Sequence, residues 1–129
     1  MRVVFDSNIY ISALIFPGGR ADKAILRILD GEDELIISRA IIKEVLSVLA
    51  EKFSRNQEAL SHVAVILGEL GRIVKPDMTL HVLKDDPDNR ILECAVSSDA
   101  DAIITGDKKI LRLGSYAGVK IVSLAEYLS

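Results

Sequence analysis

The chain has 129 residues, half of them hydrophobic, with 16 Lys and Arg against 19 Asp and Glu for a net charge of −3. That length suits one domain spanning 1–129 and is too short for a catalytic domain plus a separate cap domain. No apolar run approaches the roughly 18 to 20 residues of a membrane span, and the acidic balance does not match the broadly basic surface of a protein that holds nucleic acid by counterion release.

The opening MRVVFDSN enters strand-like sequence at once, without the charged, apolar and cleavage-site progression of a secretory signal, so a cytoplasmic location is expected. RVVF reads as a short buried strand and SNIYISALIF as a helix, stopped by the turn residues Pro17, Gly18 and Gly19. ADKAILRILDGE is a second helix with Ala24, Ile25, Ile28 and Leu29 on one face, and ELIIS a second strand. Ser38 is placed to cap a long helix, RAIIKEVLSVLAEKF. A further amphipathic helix over about 57–70 stops at Gly71, and RIV is a short extended piece closed by Pro76. KDDPDN reads as a polar loop from which DNRILECAVSSD runs as a helix. DAIITG, KKILRL, VKIVS and LAEYL then read as strand, short helix, strand and terminal helix. This alternation predicts an α/β fold, a central parallel sheet with helices on both faces.

Four carboxylates acquire meaning from that topology, because ligands of open α/β sheets gather at the carboxyl ends of the strands. Asp6 ends RVVFD, Asp107 follows DAIITG, Asp88 stands where a helix begins, and Glu44 lies one turn into the helix after the second strand, at the margin of its apolar stripe. Crowded carboxylates repel one another and stay ionised most readily around a cation. The plainer alternative is that Asp6, Asp88 and Asp107 each cap a helix, as aspartate often does, and that Glu44 is a solvated helix residue. Arg39 and Lys43 beside Glu44, with Lys108, Lys109 and Arg112 beside Asp107, are either phosphate contacts or ordinary solvated helix faces.

Other chemistry has less support. Cys94, the only cysteine, falls in a helical pattern and reads as a small buried apolar residue, which leaves no cysteine cluster. His62 and His81 are not at ligand spacing. Phe5, Tyr10 and Phe16 read as core residues, Tyr116 and Tyr127 as near-surface ones, and no aromatic run offers a platform for stacked bases.

Together VVFDSNIYISAL, IIKEVLSVL, DPDNRILECA and ADAIITGDKKIL resemble the PIN domain, a metal-dependent ribonuclease fold found in many toxin components of bacterial and archaeal toxin–antitoxin pairs. The resemblance runs over nearly the whole chain. It implies Asp6, Glu44, Asp88 and Asp107 as the four acids in order, with Asn8 and Thr105 supporting them by hydrogen bonds. Asp85 and Asp86 leave the third position ambiguous, each able to replace Asp88 or to add an outer contact, and Asp88 has the best spacing to Ile91.

The function so implied is hydrolysis of RNA phosphodiester bonds with Mg²⁺ or Mn²⁺, ions suited to oxygen ligands, two or three carboxylates binding directly while the rest orient water. Asp107 is expected to hold a second ion or to position the water. The resemblance also implies a homodimer and an antitoxin partner that covers the acidic site. A noncatalytic protein-interaction module is the alternative. A phosphoacceptor receiver domain fits poorly, because Ser7 and Asn8 follow Asp6 where a second acid is needed and Lys120 begins its strand instead of ending it. Asn8 also stands where a haloacid-dehalogenase-like phosphatase needs a second aspartate.

Overall fold

A computed structural model describes all residues, 1–129. Its elements run β1 (Arg2–Phe5), α1 (Ser7–Ile15), α2 (Arg20–Leu29), β2 (Glu34–Ser38), α3 (Arg39–Lys52), α4 (Gln57–Leu70), β3 (Arg72–Val74), α5 (Asp86–Ser97), β4 (Ala102–Thr105), α6 (Lys108–Leu111), β5 (Ser115–Tyr116), β6 (Val119–Ser123) and α7 (Leu124–Leu128). The six strands form one sheet in the order β3-β2-β1-β4-β6-β5, parallel except for β5.

The central strands lack polar/apolar alternation because both of their faces are covered. Val3, Val4 and Phe5 of β1 and Ile103, Ile104 and Thr105 of β4 are all fully buried, and consecutive strand residues point to opposite faces. The core holds 27 buried apolar residues, Cys94 among them. Burial pushes the Cys94 thiol up to about 12, as expected of an inert packed side chain. Tyr10 packs against Phe5 at 5.9 Å between ring centroids, and Tyr127 meets the same ring edge-on at 5.8 Å.

Helix punctuation follows local chemistry. Ser38 Oγ accepts from the Ile41 N–H at 3.3 Å to start α3, and Asn56 does the same for Ala59 at 2.9 Å to start α4. Gly71 lets α4 turn directly onto the sheet, because a Cβ there would lie 2.9 Å from an Ile37 methyl carbon.

The expected parallel sheet carries one short antiparallel edge strand, Ser115–Tyr116, paired with Val119–Lys120 across a two-residue turn in which Ala117 and Gly118 both have positive φ. Other expectations need correction. KDDPDN is not a loop throughout, for α5 already begins at Asp86 with Pro87 in its first turn. Tyr127 is buried, whereas Phe16 is 68 % exposed and takes no part in the core.

Candidate active site

Chain direction generates the site. The strands step outward from β1 to β2 and β3, then return across β1 to β4 and β6, so the order reverses between β1 and β4. At such a reversal the connections leave in opposite directions and open a crevice beyond the carboxyl ends of the two strands. Asp6 is the first residue after β1. Its N–H donates to the Ile104 carbonyl at 3.0 Å, which ties it to the end of β4.

Four of the expected residues are joined there by hydrogen bonds. The Thr105 hydroxyl donates to Asp6 Oδ2 at 2.7 Å and accepts from the Asp107 N–H at 3.0 Å. The other Asp6 oxygen accepts from the Asn8 N–H at 3.4 Å, so Asn8, whose side chain is exposed, serves Asp6 through its backbone. Asp6 is only 4 % exposed. Burial raises its carboxyl, Thr105 and the Asn8 and Ser7 backbone groups pull it back, Asp107 pushes it up again, and the net direction is upward.

Asp88 separates the two readings of these acids. Asp6 and Asp107 do cap α1 and α6, Asp107 accepting from the Lys109 N–H at 2.8 Å. Asp88 caps nothing, since it lies inside the first turn of α5, after Asp85 at the cap position. Its carboxyl is pushed up to about 6, first by burial and then by Asp107, Asp6 and Asp85, with Lys109 acting the other way. None of these influences is a hydrogen bond. A half-buried carboxylate facing three others, with no bond of its own to the scaffold, is typical of a functional position.

The neighbouring acids take other places. Asp85 holds Lys109 Nζ at 2.8 Å, a pair that joins the start of α5 to α6 across the crevice. This contact lowers the Asp85 carboxyl and occupies Lys109, which the sequence offers as a phosphate contact. Asp86 turns away to the Arg90 guanidinium at 3.3 Å. Glu44 is not among the charges that chiefly shift Asp6 or Asp88. It lines an adjoining cleft of about 240 Å³ with Ser7, Lys43, Ser47, Asp86 and Arg90. Arg39 opens into a different cleft, and Lys108 and Arg112 are exposed on and beyond α6.

The donors here are all oxygen, the choice of hard divalent cations. As the side chains are placed, no three of the His, Cys, Asp and Glu residues close on one point to hold an ion. The electrostatics nevertheless fit one, because the mutual repulsion that raises Asp88 is the strain a cation relieves, and Mg²⁺ needs only one or two direct carboxylates when it keeps its waters.

Sequence reasoning missed Asn89 and Glu93, two buried polar residues of α5. Asn89 Oδ1 accepts from the N–H groups of Val82 and Leu83 at 3.0 and 2.8 Å while its amide donates to the Leu83 carbonyl, and Glu93 accepts from the Leu80 N–H at 2.8 Å. They pin the irregular segment ahead of α5 and so set where that helix, and Asp88 with it, begins. Their helical spacing of four, on the same turns as Ile91 and Leu92, was the available signal.

A mostly parallel α/β protein with an acidic crevice at its switch point is the class these features define. The sequence profile of the PIN domain matches residues 2–109, and the chain belongs to the PIN domain family. An uncharacterized protein of Methanocaldococcus jannaschii is 32 % identical over 117 residues, 88 % of this chain and 75 % of the relative. Among solved structures, VapBC2 from Rickettsia felis, bound to a DNA fragment from its promoter, has a chain that matches with a TM-score of 0.67 at 16 % identity, covering 95 % of this chain and 98 % of that one. VapBC-1 from nontypeable Haemophilus influenzae matches with a TM-score of 0.68 at 18 % identity, covering 97 % and 99 %. At such identities the likeness is one of fold. No helix is long and apolar enough to cross a membrane.

Proposed function

We propose that this PIN domain is a divalent-metal-dependent endoribonuclease and acts as the toxin of a toxin–antitoxin pair. The observation that carries the nuclease reading is Asp88, raised to about 6 by burial and by Asp107, Asp6 and Asp85 without a hydrogen bond to account for its place. Family membership supports it, since PIN domains are typically nucleases. The toxin role rests on the likeness in fold to the two VapBC structures, which also favours an antitoxin partner. A homodimer and a cytoplasmic location accompany this reading.

In this reading Asp6 and Asp88, together with Glu44 of the adjoining cleft, would hold Mg²⁺ or Mn²⁺, and Asp107 would orient a water toward phosphorus. A cation held there would supply Lewis-acid polarisation of the phosphate and neutralise the charge that builds on it. Thr105 fixes the Asp6 carboxylate by donating to one oxygen and fixes the Asp107 loop by accepting from its N–H. Asp6 therefore presents its remaining lone pairs in one orientation. Burial of Asp6 keeps bulk water from competing for it.

The test is cleavage of a mixed RNA pool with Mg²⁺ or Mn²⁺ by the wild type, Asp6→Asn and Asp88→Asn, with a chelator control. Metal-dependent cutting that both substitutions abolish is the expected result. No cutting by the wild type, together with no metal-dependent rise in melting temperature, would leave the noncatalytic interaction module as the better account.

A further inference from the structure

Beyond the carboxyl ends of β2 and β3 lies a second cleft, of about 500 Å³, outside the acidic crevice. Arg39, Lys75 and Arg90 face it against a single carboxylate, Glu93, in a chain whose net charge is −3. Glu93 is already engaged, by Arg90 at 2.9 Å and by the Leu80 N–H. Arg39 and Lys75 are exposed and enter none of the ion pairs of the structure, so their charge is free for a ligand.

Part of the lining is apolar. Ile73, on the edge strand β3, is 48 % exposed and lines the same cleft beside Val74, Pro76 and Met78. Unpaired cations beside an exposed apolar side chain match a nucleotide unit, which presents a phosphate and a flat base together. Ala40 and Arg90 border both this cleft and the one lined by Glu44 and Ser7, the residue next to Asp6, so the two clefts share a wall on the Asp6 side of the molecule.

We propose that this cleft is a subsite for a nucleotide flanking the scissile bond, its phosphate held by Arg39 and Lys75 and its base packed on Ile73. As a subsite of the cleavage reaction it rests on the nuclease reading. Arg90, tied to Glu93, Asp86 and the Leu80 carbonyl, shapes the wall and is not the test residue. The acidic crevice thus holds the reacting phosphate, while affinity for the strand comes from this neighbouring surface.

The test uses the full chain with a fluorescent single-stranded RNA 20-mer. Binding is measured in chelator across a salt series, and cleavage is measured separately with Mg²⁺ or Mn²⁺. Arg39→Glu and Lys75→Glu should each weaken binding about tenfold. Each should also flatten the dependence of log affinity on log salt by about 0.7 for every phosphate no longer neutralised. In cleavage they should raise KM with kcat little changed, because a remote contact is made equally in ground and transition states. Lys120→Glu, an exposed cation near the amino end of β6, should match the wild type, and melting temperatures report folding of every variant.

If Asp6→Asn abolishes cleavage while the two cleft variants bind RNA with wild-type affinity and salt slope, the subsite is wrong and the nuclease reading stands. If the wild type cuts nothing yet both cleft variants lose salt-dependent RNA binding, the cleft is a nucleotide site and the nuclease reading fails. Absence of RNA binding by the wild type in chelator overturns the subsite, and absence of metal-dependent cleavage as well overturns both.

Discussion

The two ends of the sheet each bury an aspartate, and they treat it in opposite ways. At the amino end Asp33, just before β2, accepts from the Tyr127 hydroxyl at 2.6 Å and the Met1 ammonium at 3.0 Å, with Arg27 Nε at 3.4 Å. Arg27 also lies over the Tyr127 ring, 4.7 Å from its centroid. Burial would raise the Asp33 carboxyl, but Tyr127, the ammonium and Arg27 outweigh it and hold the group below its usual range. At the carboxyl end Asp6 and Asp88 are raised, because burial acts on them too and the charges around them are mostly of their own sign. An acid surrounded by donors and cations is held by the scaffold, whereas acids whose mutual repulsion is left uncompensated fit the cation site proposed above.

The sharpest break of this contrast is chemical. Asp6→Asn or Asp88→Asn should lower metal-dependent RNA cleavage by about a thousandfold, the scale on which one electrostatic contact to a reacting phosphate acts, while leaving the fold intact by circular dichroism. Asp33→Asn should do the reverse. It removes the charge from a buried network and should cost about 3 kcal/mol, read as a fall in melting temperature of about 10 °C, with kcat on the surviving folded protein unchanged.

Thr105→Val tests how far the acidic end depends on its one strong donor. It keeps the shape of the buried side chain but leaves Asp6 Oδ2 and the Asp107 N–H without a partner. Apparent metal affinity should fall by about 10- to 100-fold, and Thr105→Ser should recover most of it.

The smallest effect carries the clearest sign. The folded-state pKa of Asp88, about 6, lies above the ordinary aspartate value, so the native chain binds more protons than the unfolded one between about pH 4 and pH 6 and stability falls as pH rises through that window. Without added metal, Asp88→Asn should therefore stabilise the protein above pH 6, by on the order of 1 kcal/mol once solvent screening of this half-exposed group is allowed for, and the gain should vanish near pH 4. For Asp33 the folded value is depressed, so its contribution is present above the ordinary aspartate range and is lost as pH falls below it. Parallel melting curves of the two variants from pH 3 to 8 should show these opposite trends. Curves of the same slope would remove the distinction between scaffold acid and site acid.

Much of this organisation is legible without coordinates. Buried stretches such as VVF and AII announce themselves as unbroken apolar runs because both of their faces are covered, and Ser38 and the Pro17–Gly19 turn mark helix ends through backbone chemistry that needs no distant partner. Asp6 and Asp107 are recognisable because a carboxylate just beyond a strand has few other places to go.

The elements that resisted reading depend on contacts far along the chain. The two residues of β5 become a strand only because β6 accepts them, and the Ala117–Gly118 turn is too faint to declare a hairpin without a glycine-rich pair. Tyr127 is buried by Phe5 and by Asp33, 94 residues away, which no local pattern near the end of the chain encodes.

What the sequence determined by itself is the order and type of most elements, the family, and the set of acids from which a site can be drawn, because periodicity, capping and turn propensity act over a few residues. The strand order, with its reversal between β1 and β4, was decided only in three dimensions. So was the sorting of the acids: Asp6 and Asp107 into capping positions joined by Thr105, Asp88 into their shared field, Asp85 and Asp86 into ion pairs, and Glu44 into a neighbouring cleft. Charge interactions depend on distance through space, and distance between segments is a property of the packed sheet.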